Sequence, residues 1–403
     1  MESLHWRRNL YVCLFGSFTT IAGLSLILPF LPLYVEHLGV SGHAAIVQWS
    51  GVAYGATFFG AGATAPLWGR FADRYGRKII LIRASFAMAA AIALTGLVRD
   101  VYQLVALRLL AGLLGGYASG SIVLVATQTP RSRSGWALGV LSTGILAGSL
   151  AGPLIGGALP GLIGLRQTFF AAGGAIFLTF IATATLIREE PRAKVAGPPL
   201  VGSPWRQISD RRPVYAMLLT ACMLMVANMS IEPIITVYVG QIAPPDSDIA
   251  FLSGLVMAAG ALASMLAAPR VGRLTDRLGP RAVVVACLAA TGVLMIPQAF
   301  VTHTWQLIAL RFLMGLTLAG LLPAITTLIR HSVPDRVAGA ILGYSTSAQF
   351  AGQVAGPLLG GFIGGHVGMR SVFFVTALLL FASAALNALP RPGGGLDGRP
   401  GGR

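Results

Sequence analysis

The sequence GRFADRYGRK at residues 69–78 recurs as GRLTDRLGPR at residues 272–281, an offset of 203 (272 − 69) in a chain of 403 residues. Other residues repeat at the same or nearly the same offset, among them Arg108 and Arg311. Self-similarity at a fixed period indicates a duplicated unit. The chain is therefore predicted to consist of two similar halves, each with about six apolar segments.

Composition places these segments in a membrane. Hydrophobic residues make up 55% of the chain and charged residues only 10%, and the mean hydropathy is +0.76. That leaves too little polar surface for a water-soluble protein of this length. The net charge of +16 lies in short loops between apolar runs and not on one solvated face, so we predict no nucleic-acid partner.

A helix needs about 20 apolar residues to cross the hydrocarbon, and twelve segments satisfy this length. The prediction is an all-α integral membrane protein with twelve transmembrane helices in two pseudo-symmetric six-helix bundles. The predicted spans are 10–35, 46–68, 79–98, 101–128, 135–160, 167–188, 214–240, 249–271, 282–301, 304–330, 337–364 and 371–389. The predicted units are an N-terminal bundle (1–188), a cytoplasmic linker (189–213), a C-terminal bundle (214–389) and a disordered cytoplasmic tail (390–403).

The distribution of positive charge predicts the orientation. One set of loops holds most of the arginines and both lysines, whereas the opposite loops hold only Arg99, Arg166 and Arg370. Because cytoplasmic loops carry the excess of Lys and Arg, both termini are expected in the cytoplasm of a cell whose inner membrane the chain spans. The three cysteines lie singly inside spans, so no metal or disulfide is predicted, and no GxxxxGK[ST] loop or other cofactor motif occurs.

With twelve spans, a 6+6 repeat and GRFADRYGRK between spans 2 and 3, the chain resembles the major facilitator superfamily. Within it, the chain is similar to the twelve-span drug:proton antiporter group, and residues 6–40 are similar to the start of MdtG-type multidrug exporters. The resemblance implies a monomeric, proton-coupled transporter of drug-like small molecules, and not an enzyme. The alternative within the same fold is an uptake symporter or a metabolite exporter.

The repeated loop is the first motif that carries this resemblance. Gly69 and Gly76 permit a tight turn, and Asp73 is an acid among basic residues that include Arg77. In the family, the equivalent acid is thought to engage a neighbouring helix N-terminus and lock the cytoplasmic side of the outward-facing state. The resemblance therefore implies gating by Asp73 and Arg77, and the alternative is a loop that only sets topology.

Arg108 carries the second motif, in the segment LVALRLLAGLLGG of span 4. An arginine deep in a span costs roughly 2.5–3.5 kcal/mol on insertion scales and normally faces a polar interior. The resemblance implies a role in proton coupling, and the alternative is snorkelling to the surface. For its repeat mate Arg311, a purely structural role is an equally open interpretation.

Span 5 contains the third motif, whose members are Gly148, Gly152, Pro153, Gly156 and Gly157. Small residues at i and i+4 permit close helix packing, and proline bends a helix. The motif matches the antiporter signature of the family, although the same pattern recurs in span 11. The alternative is a general packing face of small residues.

Glu232 is the one acid that lies clearly inside a span. It precedes Pro233 in span 7 and lies 18 residues after Val214, or about 27 Å along the helix at 1.5 Å per residue, which predicts a place towards the outer part of the span. Low-dielectric surroundings disfavour a charged carboxylate, which suits a group that alternately binds a proton and a cationic substrate. The alternative is a carboxyl group that only hydrogen-bonds at the turn before Pro233.

Aromatic and polar residues on the helices that line the cavity in the family are the remaining candidates. Aromatic faces bind amphipathic cations by burial and by cation–π attraction of roughly 0.5–2 kcal/mol. The candidates are Phe30, Tyr34, Phe58, Asn228, Tyr238, Tyr344 and Phe350. For each of them, contact with lipid or with neighbouring helices is the alternative.

Overall fold

The computed structural model describes residues 5–189, 204–208 and 210–389, apart from the side chains of Asp73, Arg131 and Asp335. Helices make up nearly all of these residues, and no strand occurs among them. Most of the predicted linker and the whole predicted tail lie outside the described residues.

The first half of the chain contains eight α-helices. They are α1 (Trp6–Ser25), α2 (Leu31–His37), α3 (His43–Tyr75), α4 (Arg77–Thr95), α5 (Val101–Leu114), α6 (Tyr117–Gln128), α7 (Ser134–Ile163) and α8 (Leu165–Leu186). The second half repeats the order. Its helices are α9 (Arg212–Met229), α10 (Ile235–Ile242), α11 (Ile249–Leu278), α12 (Pro280–Gln298), α13 (Thr304–Leu318), α14 (Leu321–His331), α15 (Asp335–His366) and α16 (Met369–Ala388).

These helices form the twelve predicted spans, because four spans consist of two helices each. The pairs are α1 with α2, α5 with α6, α9 with α10 and α13 with α14. The turns at Gly76 and Gly279 join helices on the side that carries the repeated basic loop, which we name the basic side. The other membrane side is named the opposite side.

Ten of the spans are both long and apolar enough to cross a membrane. The other two, α3 and α15, are long enough, with 33 and 32 residues, but are less apolar. They pack against each other between the two halves of the chain, so part of their surface faces protein and not lipid. Their lower hydropathy follows from that position.

Proline breaks the first span of each half at equivalent positions. The chain leaves α1 through a short 3₁₀ turn at Leu28–Phe30, and it leaves α9 through turns at 230–234. Pro29 and Pro233 lie inside these segments, where a missing N–H prevents a regular helix. Broken transmembrane helices expose backbone and side chains at mid-depth, where transporters hold their substrates.

Side chains of α3 and α4 form hydrogen bonds at the break in span 4. Trp68 Nε1 donates to the carbonyl oxygen of Leu113 at 2.7 Å, and Arg83 Nη2 donates to that of Gly115 at 3.1 Å. The Arg83 guanidinium also lies 3.3 Å from the centroid of the Trp68 indole. These contacts satisfy carbonyls that the interrupted helix leaves free.

Most packing occurs within each half. In the first half α1 packs on α7 and α4 on α8, and in the second half α9 packs on α15 and α12 on α16. Across the halves, the main contacts join α3 to α15 and α7 to α11. A space between the halves has walls from α3, α7 and α11 and from the broken spans.

Candidate substrate and proton site

A cavity of about 310 Å³ lies between the two halves, within the size range of roughly 300–1,000 Å³ found for small-molecule sites. Its wall includes Leu28 and Glu232 from the two proline-broken segments, Pro153 from α7 and Arg311 from α13. Both halves thus contribute to a single chamber at mid-depth, and the two breaks open onto it.

Glu232 is the one acid among the described residues that line the cavity. Its side chain is partly exposed to the cavity, and none of its atoms has a hydrogen-bond or ion-pair partner among the described residues. Other acids near helix ends form hydrogen bonds with nearby backbone. Asp100 and Asp248 each accept a hydrogen bond from a backbone N–H as helix N-caps. Glu232 is therefore free to exchange partners.

Arg311 lines the same cavity and is only 5% exposed. Its Nε and Nη2 atoms have no hydrogen-bond partner among the described residues, and the guanidinium is close enough to Glu232 for electrostatic interaction. Arg108, its repeat mate, is equally buried but lies outside the cavity wall and interacts with Tyr54. Tyr54 itself lines the cavity and also interacts electrostatically with Glu232.

Three serines complete the polar wall, and all three already use their hydroxyl hydrogens. Ser25 donates to the Ile21 carbonyl at 2.9 Å, Ser149 to that of Ile145 at 3.1 Å, and Ser264 to that of Gly315 at 2.8 Å. What these serines offer the cavity is oxygen lone pairs. They are therefore hydrogen-bond acceptors toward a ligand.

The small-residue motif of α7 packs inside the first half. A Cβ atom on Gly148 would lie 2.6 Å from the Phe18 carbonyl oxygen, and one on Gly152 would lie 2.7 Å from that of Ala22. A Cβ on Gly156 would collide with the Leu26 carbonyl. Because these are contacts with backbone, side chains larger than hydrogen would push α1 away from α7.

The other two members of the motif touch the second half. Pro153 O lies against Gly254, and a Cβ atom on Gly157 would lie 2.7 Å from Ala250 O. The arrangement repeats where α15 meets α3, because a Cβ on Gly365 would lie 2.8 Å from Ala44 O. The motif thus joins helices within a half and also joins the two halves.

The contacts between halves seal the cavity on the opposite side. The Thr236 hydroxyl donates to the Pro29 carbonyl at 3.0 Å, which joins the broken spans just beyond the cavity. Gly51 on α3 meets Pro357 on α15 at the same end of the molecule. Access from the opposite side is closed in this conformation.

On the basic side, the same helix faces are apart. Six glycines within α3, α7, α11 and α15 would find no atom within 4 Å of an added Cβ there, and they are Gly69, Gly135, Gly139, Gly272, Gly339 and Gly343. Each lies 18 residues from a residue that touches the other half on the opposite side, as Gly139 does from Gly157. Eighteen residues are five turns of an α-helix, so both sets lie on one face. The structure is open toward the basic side.

The aromatic candidates lie elsewhere than expected. Tyr34 and Tyr238 are buried in the cores of their own halves, where their hydroxyl groups donate to the carbonyls of Thr95 and Gln298 at 2.6 and 2.8 Å. Phe30 is fully buried beside Phe169. The expectation that these three side chains line the cavity is corrected, because each faces its own helix bundle.

Phe58, Phe350 and Tyr344 are also outside the cavity wall of this conformation. Phe58 packs on Tyr54 with ring centroids 5.1 Å apart, and Phe350 packs near Gly62 where α3 meets α15. Tyr344 stacks on Trp205 on the basic side. Among the seven candidates, Asn228 is the one that lies in the wall.

The basic loop shows a carboxylate at a helix N-terminus, and it belongs to Glu189. The Glu189 carboxylate accepts hydrogen bonds from the backbone N–H groups of Arg77 and Lys78 at 2.9 and 2.8 Å. Gly76 has φ of +95° beside it, a conformation that favours glycine. A negative charge at this helix start is favourable. The side chain of Asp73 lies outside the described residues.

Sequence reasoning undervalued Arg311 and missed Tyr54 and Glu189. Arg311 has a signal in the sequence, because it is a deep arginine in the same half as the one intramembrane acid. The position of Tyr54 depends on the packing of α3 and α15, and the contact of Glu189 depends on the packing of α8 beside α4. No local pattern in the sequence predicts either contact.

Comparison with known proteins agrees with this architecture. Residues 13–264 and 249–401 match the family model of the Major Facilitator Superfamily. The multidrug resistance protein MdtG of Yersinia enterocolitica is 42% identical over 384 residues, covering 95% of this chain and 93% of that protein. MdtG of Dickeya zeae is 43% identical over 386 residues, with 94% of each chain covered.

Solved structures show the same fold at low sequence identity. A bacterial homolog of the human lysosomal transporter Spinster, in an inward-facing and unoccupied conformation, has a TM-score of 0.78 at 15% identity and covers 96% of this chain and 97% of its own. The nucleoside transporter NupG has a TM-score of 0.71 at 14% identity, covering 93% and 99%. The chain therefore belongs to the Major Facilitator Superfamily of membrane transporters, and within it to the group of the MdtG multidrug resistance proteins.

Proposed function

We propose that this transporter exports drug-like amphipathic molecules that carry a positive charge, in exchange for protons. The observation that carries the proposal is Glu232, the one acid among the described residues of the cavity wall. It lies at a helix break between the two halves, has no hydrogen-bond partner among the described residues and interacts electrostatically with Arg311. The similarity to multidrug resistance proteins supports the class of substrate.

Exchange follows if a proton and the cationic group of the substrate compete for the Glu232 carboxylate. The proton binds when the cavity faces outward and leaves when the cavity faces the cytoplasm and a cationic group arrives. A carboxylate in low dielectric needs one of these two positive partners. Arg311 supplies an electrostatic attraction to the carboxylate when neither partner is bound.

Alternating access follows from the two sets of contacts on the same helix faces. The closed set on the opposite side joins α7 to α11 and α3 to α15, and the open glycines lie five turns away on the same four helices. Rocking of one half against the other would open the first set and close the second. Pro153 and Gly157 of the antiporter motif belong to the closed set, and Gly135 and Gly139 of the same helix belong to the open set.

Orientation and driving force are consistent with export. We propose that the basic side faces the cytoplasm of a cell with this protein in its inner membrane, with both termini there and the protein acting as a monomer. Exchange of one proton for one singly charged cation moves no net charge across the membrane, so the pH difference supplies the driving force. At about 1.4 kcal/mol per decade, a difference of about one pH unit sustains a substrate gradient of about tenfold.

Arg108 and the basic loop have supporting roles in the proposal. Arg108 lies behind Tyr54 and biases the electrostatic potential of the cavity wall, so we assign it to proton coupling. Asp73 and Arg77 are assigned to the gate on the basic side, where Glu189 already holds the start of α4.

Transport in proteoliposomes with a known orientation tests the proposal. With the basic side outward and an acidic lumen, ethidium should accumulate in the lumen, and a protonophore should abolish the accumulation. A symporter would instead move ethidium together with protons out of the acidic lumen. Flux that ignores the pH gradient, or flux in the symport direction, would contradict the proposal.

A further inference from the structure

The cavity wall holds two opposite charges, and the substrate should therefore match both. We propose that the preferred substrate is a zwitterion, whose cationic group binds Glu232 and whose carboxylate or similar anionic group binds Arg311. This inference rests on the proposed function, because it names the substrate class of the same cavity.

Arg311 is the one charged hydrogen-bond donor among the described residues of the wall. It is 95% buried, since only 5% of its surface is exposed, and Nε and Nη2 have no partner among the described residues. A buried charge without a hydrogen-bonded partner is unfavourable. A planar guanidinium matches a carboxylate in a bidentate geometry.

The rest of the polar wall supplies both hydrogen-bond donors and hydrogen-bond acceptors. The Asn228 amide and the Tyr54 hydroxyl add neutral donors that can serve an anionic group. Ser25, Ser149 and Ser264 present acceptor oxygens, because each donates its hydrogen to a backbone carbonyl. Acceptor oxygens together with Glu232 suit the N–H groups of an ammonium.

The repeat supports a specific role for Arg311 over a structural one. Its mate Arg108 has the same burial, at 4% exposed, but lies outside the wall. An arginine needed only by the fold would occupy equivalent places in both halves. The half that contains Glu232 is also the half that turns its arginine toward the cavity.

The two charged groups of the substrate have different roles in the exchange. The cationic group displaces the proton from Glu232 and thereby provides exchange. The anionic group adds affinity at Arg311 and replaces Glu232 as its ionic partner. A purely cationic substrate would still be exchanged for protons, but it would leave the guanidinium without an anionic partner.

The test uses ciprofloxacin, which carries a piperazinium and a carboxylate, and its methyl ester, which lacks the carboxylate charge. Proton-driven uptake of both, and of ethidium, is measured in proteoliposomes with the wild type, Arg311→Gln and Arg311→Lys. Arg99→Gln removes an exposed arginine outside the cavity and is the matched control. Size-exclusion profiles and thermal unfolding in detergent check that each variant folds.

We expect Arg311→Gln to lower the apparent affinity for ciprofloxacin by tenfold or more, the scale of a lost charge-assisted hydrogen bond of about 1.5–3 kcal/mol. Ester and ethidium transport should lose less affinity than ciprofloxacin transport, because neither compound has a carboxylate that Arg311 could bind. Arg311→Lys should retain part of the preference for ciprofloxacin over its ester, because lysine keeps the positive charge. The wild type should bind the zwitterion more tightly than the ester, a comparison that needs no variant.

Two results would overturn the inference. The first is an equal loss of transport of all three compounds in Arg311→Gln and Arg311→Lys. That result would mean that Arg311 acts only through Glu232 and does not bind the substrate. The second is wild-type transport of ethidium and the ester without any preference for ciprofloxacin. In both cases proton-driven export stands. Absence of proton-driven flux of every compound in the wild type would instead reject the proposed function itself, and with it the inference.

Discussion

At the scale of single residues, the molecule concentrates its charge chemistry in Glu232 and Arg311. Both line one cavity, and neither has a hydrogen-bond partner for its cavity-facing charge among the described residues. Glu232 was predictable because it is an acid in an apolar segment. The identity of its neighbour was not, because Arg108 and Arg311 have the same sequence context and differ only in how the helices pack.

Replacement of Glu232 by glutamine should separate folding from coupling. Glu232→Gln keeps the size and hydrogen-bonding capacity of the side chain but cannot release a proton. Cells that carry it should express a stable protein and lose resistance to ethidium in a growth-inhibition panel. Glu36→Gln makes the same change at an exposed acid on the opposite side and should keep resistance. Full resistance with glutamine at 232 would contradict the assignment.

At the scale of helices, the apolar pattern predicted twelve spans, and the structure confirms them. The turn before Pro233 has a signal in the sequence, but the breaks in spans 4 and 10 were not predicted, because a broken span has the same hydropathy as a continuous one. The break of span 4 at Gly115 depends on Trp68 and Arg83 from neighbouring helices. The aromatic candidates failed for a related reason, since hydropathy does not reveal which side of a helix faces the cavity and which side faces its own bundle.

Two glycines of α7 should respond in opposite ways to a methyl group. Gly156→Ala places Cβ against the Leu26 carbonyl, and overpacking of this kind costs about 1–3 kcal/mol. Gly139→Ala meets no atom within 4 Å and gains up to about 1 kcal/mol of helix propensity. Thermal unfolding in detergent should give a lower Tm for the first variant and an unchanged or higher Tm for the second. Equal shifts would contradict the packing described for α7.

At the scale of the whole molecule, duplication gives two halves that meet along α3, α7, α11 and α15. The sequence repeat predicted this symmetry, but the conformation depends on which contacts between the halves are closed. Contacts on the opposite side are closed, and the glycines five turns away on the basic side are open. The two halves differ in function, because the second half supplies both charged residues of the cavity wall, Glu232 and Arg311.

Spin labels at Gly135→Cys and Gly272→Cys should report closure of the basic side. These positions face open space here, and closure should bring α7 and α11 to the roughly 8–10 Å between axes of packed helices. The native cysteines at 13, 222 and 287 are first replaced by alanine. Ethidium should increase the short-distance population, and Gly139→Trp, which fills the closing face, should abolish it. One unchanged distance under all conditions would contradict rocking between these faces.

Exchange at Glu232 is tested by substrate-induced proton release from the purified protein in weakly buffered detergent solution, followed with a pH-sensitive dye. In the proposed mechanism, a proton and the cationic group of the substrate share the Glu232 carboxylate. Ethidium added to the proton-loaded wild type should therefore release protons in proportion to the ethidium bound, and Glu232→Gln should bind ethidium weakly and release none. Proton release by Glu232→Gln equal to that of the wild type would contradict the account.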